Sequence, residues 1–386
     1  MNILFISPAD PRLSHAGYAQ RTNLLWQVLK EIGNVYTIVY SDTHVGAPIL
    51  VEDSNPIYIL NPKSFYNIKK AFEHRVINYL TGIPFTHKKF PCEYKVSSIY
   101  KEIKFDIVVS RYIHLPAKFH LWETAPLYID VDDHPLQVYN TIIKHNRPKL
   151  LHPISRLLLK IQFNIIINKT AGSWISNKQQ VTNNKKLNYL PNIPFTPNAI
   201  YRPHYEDRKY LLTVGLMSYQ PNYDGVDRFL SSIWPKFHKQ HPDIKYFIGG
   251  KGAPIDYAER WNSIEGVSYL GFIENLEEAY EKCIAALVPI YSGAGTCIKT
   301  LEAMAYSRIC ISTSYGARGI DLEDTKKENG LFIFKTPEEF INIYENISTP
   351  RTRTKLEEKA FEYIKQNYSF EKFKNIISKT IGYSQK

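Results

Sequence analysis

Residues 290–305 read IYSGAGTCIKTLEAMA. Gly293 and Gly295 lie two apart in a short loop, and the chain then passes into good helix formers, with Lys299 and Glu302 one turn apart. The preceding IAALVPI, residues 284–290, reads as a buried strand. The spacing therefore predicts strand, glycine loop, and a helix starting near Thr296. A helix N-terminus exposes unpaired N–H groups and the positive end of the helix dipole. Glycines let a ligand approach the backbone closely, so the pair suits a phosphate or diphosphate. Lys299 adds charge, and Glu302 can accept hydrogen bonds from paired hydroxyls such as those of a ribose. A nucleotide ligand is one reading of these residues and a plain tight connection is the other. The stretch is not GxxxxGK[ST], and no GxGxxG follows the first strand of the chain.

Outward from the loop, apolar runs alternate with helical patterns. YLLTVG (210–215) precedes a helix over GVDRFLSSIWPKFHKQ (225–240). KYFIGG (245–250), VSYLGF (267–272), IAALVPI, ICISTS (309–314) and LFIF (331–334) follow, with helices between most of them. This is a doubly wound α/β pattern. The first half repeats it: NILFIS (2–7), a polar loop PADPRLSHAGYAQR (8–21), a helix TNLLWQVLKEIG (22–33) stopped by Gly33, then VYTIVYS (35–41). DIVVSRY (106–112) and PLYIDVDD (126–133) are further strands that end in polar residues. Ligands of open α/β sheets bind outside the carboxyl ends of the strands. Arg111, His114, His134 and the cluster Asp130, Asp132, Asp133 are therefore expected to meet a substrate. Paired aspartates at a strand end are not a metal signature, so they are read as orienting an acceptor or capping the next helix.

Length and composition agree with two domains. A chain of 386 residues exceeds one ordinary core, and 44% hydrophobic with 22% charged residues marks a globular protein. The proline-dense LPNIPFTPNAIYRPHYEDRKY (190–210) reads as a linker, which divides the chain into 1–195 and 205–366. Cys92, Cys283, Cys297 and Cys310 lack metal-ligand spacing and read as free thiols of a reducing compartment. MNILFIS carries no basic leader, and no apolar run of about 18 residues is evident, so a cytoplasmic protein without a spanning segment is expected. Net charge is +11, which reads either as anionic partners or as a solvated basic surface. No recognition motif or stacking array points to nucleic acid. The basic, aromatic stretch from Lys63 to Phe90 is expected to be helical, then broken, then a loop; a solvated helix face is its first reading, and an anionic membrane surface or acceptor its second. LLHPISRLLLKIQFNIIINKT (150–170) reads as a core-packed helix in preference to a membrane helix.

VPIYSGAGTCIKTLEAMAYSRICISTSYGARGI (288–320) resembles the donor-binding segment of glycosyltransferase family 4 and its GT-B relatives. LPNIP (190–194), LLTVGLMSYQPNYDGVDRFLSSIWP (211–235), FIGGKG (247–252) and VSYLGFIENLEEAY (267–280) agree in order and spacing, and NILFISP and YIDVDDHP agree more loosely. The resemblance implies two Rossmann-like domains facing a central cleft, a nucleotide diphosphate sugar as donor, and no cofactor or catalytic metal. It implies retention of configuration. Apart from the resemblance, the +11 charge, the basic stretch from Lys63 to Phe90 and the lack of a spanning segment lead to the expectation of a glycan or lipid-linked glycan acceptor at the inner face of a bacterial membrane. Gly293, Gly295, Thr296 and Cys297 would contact the diphosphate, Glu302 the ribose, and Phe272, Ile273 and Leu276 the base. Gly215 would approach the phosphates, Gly17 would face them from the first domain, and residues 367–386 would return to that domain. Lys299, Asp132 and Asp133 are the expected catalytic residues. Two departures stand out. The first glutamate of the family's paired-glutamate motif is Ala294, and LMSYQPN (216–222) lacks the usual Arg and Lys. Lys299, or less directly Arg228, would supply that charge. A catalytically weak nucleotide-sugar-binding subunit is the alternative.

Overall fold

The computed structural model describes residues 1–13, 17–40, 49–52, 55–60, 72–82, 99–181, 184–194, 208, 210–293, 296–320 and 329–383. They form two compact units, residues 1–191 with 374–386, and residues 192–373.

The first unit is an eight-stranded sheet of β1 (Asn2–Ser7), β2 (Asn34–Tyr40), β3 (Ile49–Glu52), β4 (Ile57–Leu60), β5 (Ile107–Arg111), β6 (Leu127–Asp132), β7 (Gly172–Ile175) and β8 (Leu187–Tyr189). Their order is β3-β4-β2-β1-β5-β6-β7-β8. All neighbours run parallel except β3 and β4. The central strands are apolar on both faces because helices cover both sides, as parallel sheets require. The first helix begins at Gly17, five residues before the expected Thr22, so Arg21 rides on a helix and not in a loop. Of the basic stretch Lys63–Phe90, the structure describes only the helix Phe72–Thr81 and Gly82; the rest lies outside the described residues. The last helix, Phe370–Ile381, contributes its final turns to this unit. Thr380 Oγ1 accepts from Trp174 Nε1 at 3.1 Å, and Lys374 pairs with Glu31 at 2.7 Å.

The second unit is a six-stranded parallel sheet of β9 (Tyr210–Val214), β10 (Lys245–Gly249), β11 (Val267–Gly271), β12 (Ala285–Val288), β13 (Cys310–Ser312) and β14 (Leu331–Ile333). The order is β11-β10-β9-β12-β13-β14. This is the doubly wound dinucleotide-fold order, with its switch point between β9 and β12. The helix expected from Gly225 starts earlier, at Gln220, and splits at Ile233 into Gln220–Ser232 and Trp234–Gln240. Pro235 has no N–H to continue the ladder and sits in the first turn of the second piece. Cys283, Cys297 and Cys310 are buried free thiols, and burial pushes Cys283 up to about 12, against the nearby Arg308 and Arg208. Cys92 lies outside the described residues.

Candidate functional site

At the switch point of the second unit, two loops leave adjacent strands. The loop after β9 begins at Gly215, whose N–H donates to Gly249 O at 3.0 Å. A Cβ on Gly215 would lie 2.4 Å from Lys299 Cε. Glycine here lets the lysine stem cross the strand end. Lys299 has neither an ion pair nor a hydrogen bond with any described residue. The loop after β12 passes through Gly293, at φ +116°, where a side chain would be strained. A Cβ there would stand 3.1 Å from Arg318 Nη2 and 3.5 Å from Tyr219 OH. Ala294 and Gly295 lie outside the described residues.

The helix Ile298–Ala305 follows, two residues later than expected. Its N-cap, buried Cys297, makes no side-chain cap, and the first turn holds no acid. Thr300 N–H turns back to Cys297 O at 3.2 Å, and the N–H groups of Ile298 and Lys299 are the ones open to an anion. Cys297 N–H itself donates to Arg318 O at 3.3 Å. Thr296 packs against Gly319, where a Cβ would come within 2.4 Å of its hydroxyl oxygen. Arg318 is thereby placed beside Gly293 and Thr296, with Nη1 donating to Tyr315 O at 2.8 Å. Sequence reading passed it over. Its signal was the same strand-end logic applied to β13, in SYGARGI (314–320).

Glu302 is half-buried and accepts no hydrogen bond from any described residue. Burial pushes its carboxyl up to about 7, and the Lys299 charge opposes that rise. Such an acceptor gains most from a ligand that brings its own donors. At the outer edge, Phe272 is 61% exposed with Lys251 Nζ 4.1 Å from its ring centroid. Ile273 folds inward over Gly249, where a Cβ would meet its Cδ1 at 2.2 Å. Leu276 opens the helix Leu276–Glu281, capped by Asn275 accepting from Glu278 N–H at 3.1 Å. Arg228 stacks on Tyr291, its Cζ 4.1 Å from that ring's centroid.

In the first unit the strand-end residues divide. Asp130 is fully buried and accepts from Arg21 Nη2 at 2.7 Å, Arg21 Nε at 2.9 Å and Arg111 Nη1. Burial alone would raise its carboxyl; Arg21 and Arg111 outweigh that and hold it below the usual range. Arg111, expected on the acceptor side, has no accessible surface. Its guanidinium serves Asp130, Thr22 Oγ1 at 3.2 Å, Tyr112 OH at 3.1 Å and Asp132 Oδ2 at 3.2 Å. The expected substrate contact is therefore corrected to a core ion pair. Arg21 also donates to Pro191 O and Leu190 O, tying the first helix to the end of the unit.

Asp132 remains 16% exposed and stands at φ +64°, and Tyr112 beside it at φ +59°. Left-handed backbone at two non-glycine residues costs about 1–3 kcal/mol each and gathers at functional sites. Asp133 and His134 are half-buried. His134 caps the helix Pro135–Val138, its Nδ1 accepting from Leu136 N–H at 3.2 Å, so the neutral ring carries its proton on Nε2. Burial lowers its pKa. His114 stacks on Tyr112 at 5.8 Å. Gly17 begins the first helix.

An uncapped helix, the cations Lys299 and Arg318 and the carboxylate of Glu302 stand together at this switch point, an arrangement that can hold an anionic ligand carrying hydroxyls. Residues 208–348 match the family model described as Glycosyl transferases group 1. Over 99% of its length the chain is similar to sucrose-phosphate synthase (tll1590) from Thermosynechococcus elongatus, at TM-score 0.68 and 14% identity, covering 98% of that chain. Anabaena HepE in complex with UDP and glucose is similar at TM-score 0.63 and 11% identity, over 98% of this chain and 99% of that one. An uncharacterized 44.6 kDa protein in the cps region of Klebsiella pneumoniae is 27% identical over 179 residues, 44% of this chain. That match spans 45% of the Klebsiella protein, about half its length. The chain has the GT-B fold of two Rossmann-like domains, and the match to the group 1 glycosyl transferases lies within its second unit.

Proposed function

We propose that the protein transfers a sugar from a nucleoside diphosphate sugar to a hydroxyl of a glycan or lipid-linked glycan. The observation that carries this reading is the conjunction at the second unit's switch point. Lys299 lies across Gly215, the helix Ile298–Ala305 is uncapped, and Glu302 makes no hydrogen bond with the described residues. In this reading Glu302 accepts from the ribose hydroxyls and Phe272, Ile273 and Leu276 bound the base. The helix N–H groups, Gly293, Gly295 and Thr296 take the diphosphate.

When the sugar C1–O bond breaks, its electron pair stays on the diphosphate. Lys299, Arg318 and the helix N–H groups meet the charge that develops there, and this needs no metal ion. The acceptor oxygen bonds to C1 and its proton leaves with the diphosphate or by way of a carboxylate. Asp132, held at a strained strand end, and Asp133 orient the acceptor, with His134 and His114 as polar neighbours. Retention is part of this proposal, resting on the family resemblance alone, and Ala294 removes the residue that would read the donor sugar. The cps-region relative fits a role in polysaccharide assembly.

The test is release of nucleoside diphosphate from UDP-, GDP- and ADP-sugars, with and without lipid-linked glycan acceptors. Anabaena HepE, solved with UDP and glucose, makes UDP-glucose the first donor to try. Binding of a nucleotide sugar without turnover on any acceptor would favour the binding-subunit alternative.

A further inference from the structure

The helix His152–Asn168 of the first unit has two apolar faces. One packs inward through Leu159, Phe163, Ile166 and Ile167, with Gln162 Nε2 donating to Thr81 Oγ1 at 3.3 Å. The other carries Ile154, Leu157 and Ile161, and Leu150 precedes them in the short turn Lys149–Leu151 that leads into the helix; the four, from Leu150 onward, are 90%, 53%, 60% and 46% exposed. Their spacing of i, i+4, i+7 and i+11 aligns them in one stripe. The core-packed reading of 150–170 thus describes only half of this segment. By length and composition Lys149–Asn168 also passes as a membrane span, contrary to the expectation that none exists. Its buried inner face, anchored to the sheet, instead keeps it lying along the surface of the unit.

Charge tells what covers the stripe. From residue 134 to residue 205 the sequence holds ten Lys and Arg and no Asp or Glu. Lys149, Arg156 and Lys160 are exposed beside the stripe. Arg147 stacks on Tyr79, its Cζ 4.0 Å from the ring centroid, and Val76 and Tyr79 on the neighbouring helix are themselves exposed. Apolar side chains bordered by cations and an aromatic, with no acid, complement an anionic lipid surface: the side chains enter the acyl boundary and the cations meet the phosphates. A water-facing helix face would carry acids among its bases, and an ordinary protein interface core is depleted of charge.

We propose that this face docks the first unit onto an anionic phospholipid bilayer, as a peripheral and reversible contact through Leu150, Ile154, Leu157 and Ile161. The proposal stands apart from the nucleotide reading of the second unit and uses none of its residues.

The experiment is co-sedimentation of the full chain with phosphatidylglycerol–phosphatidylethanolamine vesicles and with phosphatidylcholine vesicles, at low and high salt. The wild type should pellet with the anionic vesicles at low salt, at least tenfold more tightly than with the zwitterionic ones, and lose most binding at high salt. Leu150→Ser with Leu157→Ser, and separately Arg156→Glu with Lys160→Glu, should each weaken binding at least tenfold. All four positions are exposed, so melting temperature and nucleotide-sugar binding should be unchanged. Sedimentation velocity without vesicles tests the other occupant. Self-association abolished by the leucine pair, with no vesicle binding, would overturn the proposal in favour of a second copy. Equal pelleting of wild type and both variants would overturn it too, as would resistance of bound protein to carbonate extraction.

Discussion

Raising the pH from 6 to 8 should tighten nucleotide-sugar binding about tenfold, through Glu302 alone. In the unliganded protein burial holds this carboxyl at about 7, against an ordinary 4.5. A ribose that donates two hydrogen bonds favours the ionised form, so binding draws the pKa back down. Binding then requires a proton to leave. With a free-state pKa of about 7, roughly one molecule in eleven is ionised at pH 6 and ten in eleven at pH 8, which gives the tenfold ratio. A diphosphate esterified at both ends has no group of its own titrating in that window. Calorimetry at pH 6, 7 and 8 measures it, and buffers of different ionisation enthalpy should show about half a proton released at pH 7. Glu302→Gln should bind more weakly at pH 8 and show no pH dependence. Stability gives an independent check. Between pH 4.5 and 7 the folded protein holds a proton that the unfolded chain has released, so unliganded stability falls as pH rises through that window. The glutamine variant should lose this fall and melt higher than wild type at pH 8. A pH slope of affinity that is equal in wild type and variant would refute the assignment of Glu302 to the ribose.

Lys299→Ala should lower kcat about 10²–10³-fold while changing nucleoside diphosphate affinity far less, because the charge it meets develops in the transition state; steady-state kinetics with binding isotherms separates the two. Gly215→Ala should lower kcat without unfolding the unit, since the new methyl meets a flexible lysine stem, and the double variant with Lys299→Ala should be no worse than Lys299→Ala alone. Arg318→Ala should weaken nucleoside diphosphate binding by about 1.5–3 kcal/mol and leave free-nucleoside binding unchanged, measured by titration with both. Asp130→Ala should destabilise the first unit by about 3–5 kcal/mol in urea unfolding, because it strands Arg21 and Arg111 in the core.

The strands and their order of appearance were legible because the apolar runs of β1, β9 and β12 are buried on both faces, and a continuous run with turn signals at its ends survives without context. The glycine loop was legible for the same reason: it follows such a run and precedes helix formers. Which strand-end residues face a ligand was not legible. Arg111 and Asp132 both stand at strand ends, yet one is sealed by Asp130 and the other reaches the surface through a backbone turned to positive φ, and that turn has no signature in IDVDD. Arg318 was missed because its place depends on Gly319 admitting Thr296 and Gly293 admitting the guanidinium, contacts between segments more than twenty residues apart. The stripe on His152–Asn168 was hidden by its density: a helix apolar nearly all round does not say which half the sheet will cover.

The most direct measurement of the central claim is thermal unfolding of the purified protein with UDP-, GDP- and ADP-sugars, read beside Glu302→Gln and Lys299→Ala. Only ligands bound by the folded state raise the midpoint. One nucleotide sugar should raise it in wild type in a concentration-dependent way, by less in Glu302→Gln, and by nearly as much in Lys299→Ala. No shift with any nucleotide sugar at millimolar concentration, or an undiminished shift in Glu302→Gln, would contradict the account.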